Sequence, residues 1–88
     1  MSISSVARRY ELASKEVIVR NLHMVIKESG VDCIGLHLVS GVSKFTVYNL
    51  SNGTSMYKPS IQTSANICKA MGVTLNSIIQ EVQHENDC

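Results

Sequence analysis

Lys44, Phe45, Thr46, Tyr48 and Asn49 fall within six residues and supply a cation, two aromatic rings, a hydroxyl and an amide, with no acid among them. Facing outward from one short helix, these are the groups that a helix lodged in a DNA major groove requires. They offer hydrogen bonds to base edges, apolar carbon for thymine methyl groups, and no negative charge to meet phosphate. The alternative for the whole set is an ordinary solvated helix face. Phe45 is the sharpest residue, because a phenylalanine exposed on a first helical turn is costly unless it touches something. It is expected either to meet a thymine methyl or to pack back against the preceding helix.

Other groups point to chemistry less specifically. Cys33 and His37 are four apart and would share a helix face, as a metal pair or a Cys/His nucleophile would. No third ligand or orienting acid is spaced to complete either, and Cys68 and His84 stand in unrelated segments, so a core or boundary role is expected. Arg8 and Arg9 suit either phosphate or plain solvent. Tyr57 and Lys58, just before Pro59, either clamp a phosphate or shape a loop. No acid–base pair, phosphate-cradling loop or metal set is recognisable, so neither an enzyme nor a cofactor is expected.

The elements that must position these residues are written in glycine and cap signals. Ser14 is an N-cap for a helix ending before Gly30, with Val17, Ile18, Leu22, Val25 and Ile26 at helical spacing. Asp32 caps a short helix through Ser40, and Gly41 breaks it. Ser43 caps a further helix from Lys44 to about Ser51, and Asn52-Gly53 is a strong turn signal. Ser60 caps a helix over Ile61–Met71, and Thr74 one in which Leu75, Ile78, Ile79 and Val82 face inward. Leu36, Val39, Val42, Val47 and Leu50 are the apolar positions of the central pair. Upstream, Ile3, Val6, Tyr10 and Ala13 keep a similar rhythm, either merged with the first helix or folded back on it. The reading is all-α, a compact five-helix bundle. Residues 1–14 form an N-terminal extension, 15–80 the domain, and 81–88 a disordered acidic tail.

Composition sets the frame. At 88 residues and 9.6 kDa, with 44% hydrophobic and 17% charged residues, the chain is too apolar for disorder and too interrupted for a membrane span. Its apolar runs are only a few residues long, and no signal peptide is expected, so a cytoplasmic protein is. The three cysteines form no close pair, which argues against both zinc knuckles and a disulfide framework. Three of the seven acids lie in residues 81–88, so residues 1–80 carry 8 − 4 = +4. A basic body with an acidic tail is compatible with a nucleic-acid partner.

The segments NLHMVIKESGVD, SGVSKFTVYNLSNG and KPSIQTSANICKAMGVTLNSII, taken in order, resemble the Cro/repressor-type (XRE-like) helix-turn-helix family over about residues 18–80. The resemblance implies a lambda-repressor-like fold and a transcriptional regulator, expected to be a repressor of a phage or mobile element. It implies binding to double-stranded DNA as a homodimer on a palindromic operator. It assigns base contacts to Lys44, Phe45, Thr46, Tyr48 and Asn49, with adenine expected for Asn49. Phosphate contacts fall to Ser43, Asn52, Thr54 and Lys58. The dimer surface is expected either around Ile3, Val6 and Tyr10 or on the last helix with Ile79 and Val82. The chain departs from the family pattern at Cys33, Ile34, Gly35, His37 and Ser64. Ile34 and Leu38 as exposed apolar groups would suit a second expectation, a protein-interaction module such as an antirepressor or co-regulator.

Overall fold

The computed structural model describes residues 3–80, which form six helices and no strand. They are α1 (Ile3–Leu12), α2 (Lys15–Ser29), α3 (Cys33–Ser40), α4 (Lys44–Asn52), α5 (Ile61–Met71) and α6 (Leu75–Ile79). The helix starts follow from local hydrogen bonds. Ser14, Asp32, Ser43 and Ser60 each accept from the backbone N–H three residues on, at 3.2, 2.7, 3.2 and 3.1 Å. Each such cap stabilises its helix by about 1 kcal/mol. Thr74, the fifth expected cap, makes no side-chain bond to α6. Gly41 ends α3 at φ 76°, a left-handed conformation that a Cβ would strain, and so turns the chain into Val42-Ser43 and α4.

The core is built mainly from α2. Ile18 and Leu22 are sealed from solvent together with Val47 and Leu50 of α4, Ile67 of α5 and Ile78 of α6. Leu36 of α3 and Val42 of the turn join the same cluster. α2 packs on α4, α5 and α6, while α3 packs on α4 and α5. Burying side chains of this size contributes roughly 1.5–3 kcal/mol each.

Two expectations change. The helix count is six among the described residues, because the segment ahead of Ser14 is a separate helix rather than a continuation of α2. Ser14 takes an extended backbone conformation in order to cap α2, and this breaks the rod. α1 lies against α6. Val39 points outward and not into the core. The inward line of α3 is Cys33, Leu36, His37 and Ser40, and a three- and four-residue period leaves Ile34, Leu38 and Val39 on the opposite side.

Polar bonds fasten the outer helices. The Tyr10 hydroxyl of α1 bonds to the Pro59 carbonyl and, at 2.7 Å, to the Ser64 hydroxyl of α5, and both side chains are buried. Arg9 donates to the Asn76 amide oxygen of α6. Asn21 of α2 is buried and donates from Nδ2 to the carbonyls of Ile78 and Gln80, at 2.7 and 2.9 Å, which closes the C-terminal end of α6. Tyr10 and Ile79, expected at a dimer surface, are therefore used inside the chain. Val82 and the acidic tail 81–88, with His84, lie outside the described residues. Among the described residues no helix is long and apolar enough to cross a membrane.

Candidate nucleic-acid interface

α4 is nine residues long and docks through Val47 and Leu50, both fully buried. The remaining positions of the helix cannot reach the core, so Lys44, Phe45 and Tyr48 are exposed, and Thr46 and Asn49 are half-buried. Phe45 is 77% exposed, which excludes packing back against α3. Of the four aromatic residues in the chain, Phe45, Tyr48 and Tyr57 are exposed and only Tyr10 is buried. Residues 33–80 contain three lysines and no acid at all. α4 and the loop that follows it therefore contribute no negative side chain of their own; the nearby acids, Glu16 and Asp32, line clefts at the Asn52 end of the helix.

The turn ahead of α4 is held by His37. A carbonyl only accepts, so the 2.6 Å contact between His37 Nδ1 and the Val42 carbonyl places a proton on Nδ1. His37 therefore fastens α3 to the residue that plugs the corner. Cys33 is half-buried beside the core, and among the described residues no three His, Cys, Asp or Glu side chains gather as metal ligands would.

The expected phosphate contacts separate into two groups. Ser43 and Asn52 are exposed at the two ends of α4. Ser43 is also tied to its own helix, accepting from Thr46 N–H and donating to Thr46 Oγ1 at 2.9 Å. Thr54 turns back toward α4, with its N–H on the Asn49 carbonyl at 2.9 Å and its hydroxyl on Asn49 Oδ1 at 3.2 Å. Lys58 points away from this face altogether. Its ammonium donates to the carbonyls of Tyr10 and Glu11 at the end of α1, at 2.7 and 3.1 Å.

Other cations lie nearer to α4 than Lys58 does. Lys15, Glu16 and Arg20 of α2 line an open cleft with His23, Asn52 and Gly53, at the C-terminal end of α4, so two cations and one carboxylate meet there. His23 shapes that corner by donating from Nδ1 to the Ser51 carbonyl at 2.9 Å. No local pattern in the sequence ties the charges of α2 to α4. Only the packing of α2 on α4 brings them beside the turn at Asn52.

A second surface adjoins the first. Ile34, Leu38 and Val39 project from α3 into solvent, the last two 71% and 72% exposed. No protein-family model, curated protein or solved structure matches this chain.

Proposed function

We propose that this chain is a sequence-specific regulator of helix-turn-helix type that lays α4 in the major groove of double-stranded DNA. The observation that carries the reading is the two-sidedness of α4. Its inner side is sealed by Val47 and Leu50, while Lys44, Phe45 and Tyr48 stand free in a stretch without acids. A surface helix with a cation, exposed rings and an amide gains nothing in water and gains contacts against base edges. Lys15, Arg20 and Asn52, which share a cleft with Glu16 at one end of α4, in this reading hold the sugar-phosphate backbone, with Lys44 at the other end. In this reading two copies bind as a homodimer on adjacent half-sites of a palindromic operator, and occupancy of the site represses transcription.

Fluorescence polarisation over random and selected duplexes at two salt concentrations tests the proposal. Binding that weakens steeply with salt and favours particular sequences is the expected result. Equal affinity for all sequences, or none, refutes it.

The apolar group Ile34, Leu38 and Val39 favours a second reading, an antirepressor or co-regulator that docks another protein through α3. The same assay separates the two, since that module binds DNA weakly or not at all.

A further inference from the structure

The loop after α4 runs back along that helix and leaves a narrow cleft between them, lined by Phe45 and Asn49 on one side and by Thr54, Met56 and Tyr57 on the other. Phe45, Met56 and Tyr57 are more than three-quarters exposed, so the cleft is apolar yet open to solvent. At its edge Thr54 donates its hydroxyl to Asn49 Oδ1 at 3.2 Å and its backbone N–H to the Asn49 carbonyl at 2.9 Å. The acceptor end of the Asn49 amide is thereby engaged, and the Nδ2 donor end is presented. The site therefore offers a hydrogen-bond donor next to an apolar slot, and none of the residues that line it is an acid.

In the major groove only thymine places an acceptor, O4, beside a methyl group, at C5. We infer that this cleft reads a thymine of duplex DNA, its methyl seated among Phe45, Met56 and Tyr57 and its O4 accepting from Asn49 Nδ2. Thr54 is a positioning residue: by donating its hydroxyl to Asn49 Oδ1 it favours the amide orientation in which Nδ2 faces the base. The inference rests on the DNA reading above and replaces adenine, the partner expected for Asn49, with thymine.

The test starts with the full chain and a random duplex pool, from which a bound consensus is selected. Each thymine of that consensus is then replaced by deoxyuridine, which removes the methyl group alone and leaves the protein untouched. At one thymine, repeated by symmetry if the consensus is palindromic, affinity drops by about fourfold, the worth of one buried methyl. The drop disappears in Phe45→Ala and Met56→Ala. Thr54→Val lets other base pairs replace that thymine with little further loss, and Thr54→Ser restores discrimination. A consensus in which every thymine tolerates deoxyuridine, or a methyl effect unchanged in both alanine variants, overturns the inference and leaves DNA binding standing. Failure to enrich any duplex overturns both.

Discussion

The ammonium of Lys58 lies 5.0 Å from the ring centre of Tyr10 and donates to the carbonyl oxygen of the same residue at 2.7 Å. A cation from the loop after α4 thus closes the C-terminal end of α1, where free carbonyls and the helix dipole concentrate negative potential. A second bond to the Glu11 carbonyl completes the cap. The N-terminal helix is fastened to the body by a residue 48 positions away.

Lys58→Ala is therefore expected to destabilise the fold by about 1–2 kcal/mol, in the range for a charge-assisted cap at a helix end. Urea unfolding measures this directly. The same variant leaves the salt dependence of DNA binding unchanged, whereas Arg20→Ala reduces its slope by about one. A slope that falls in Lys58→Ala and stays constant in Arg20→Ala contradicts the assignment.

Tyr10 and Ser64 are expected to couple. Tyr10→Phe leaves the fully buried Ser64 hydroxyl without its partner and costs about 1–3 kcal/mol. Ser64→Ala by itself costs less, because the Tyr10 hydroxyl still reaches the Pro59 carbonyl. In a double-mutant cycle the combined loss is smaller than the sum of the single losses.

Asn21→Leu removes two donors and leaves the carbonyls of Ile78 and Gln80 facing an apolar side chain. The expected cost is about 2–4 kcal/mol. Hydrogen exchange at the amides of α6 checks that the loss is local to that helix, and uniform acceleration across α2 and α4 contradicts it.

Alkaline pH weakens the fold through two buried acids. Burial pushes the Cys68 thiol up to about 11 from 9.0. Burial also raises the Tyr10 phenol, with the Ser64 hydrogen bond opposing and nearby Cys68 adding to the rise. Both keep their protons in the folded chain at pH values where the unfolded chain releases them. Stability is therefore intact below about pH 9 and falls as pH climbs toward 11. The loss from Cys68 alone is on the order of 2–3 kcal/mol. Chemical denaturation at pH 8, 9.5 and 10.5 reveals it, and Cys68→Ala flattens the profile even though its cavity lowers stability overall.

Asn49→Ala and Thr46→Ala are expected to relax specificity at one base position each, at about 1–3 kcal/mol, without changing the free energy of unfolding by more than about 0.5 kcal/mol. Competition binding against single-position operator variants reads the first effect, and urea denaturation the second.

Helix positions in this chain were set within a few residues of themselves. A serine or aspartate oxygen reaches the N–H three residues on, and a glycine adopts positive φ without a steric clash, whatever the rest of the molecule does. Ser14, Asp32, Ser43 and Ser60 therefore announced four helix starts, and the acid-free run at Lys44–Asn49 announced a face of unusual character. Ser64 is different. In sequence it is a polar residue on an apolar stripe, and it becomes intelligible only beside the Tyr10 hydroxyl, 54 residues away. Lys58 is a flexible cation whose destination no local rule fixes; the approach of α1 supplied carbonyls for it. Val39 matches the apolar composition of a core, but the angle at which α3 meets α4 and α5 gives the inward places to Leu36 and His37. Local hydrogen bonding and backbone sterics were legible in the sequence. The partners of long or polar side chains depend on distances between helices, and those are set only when the whole core closes.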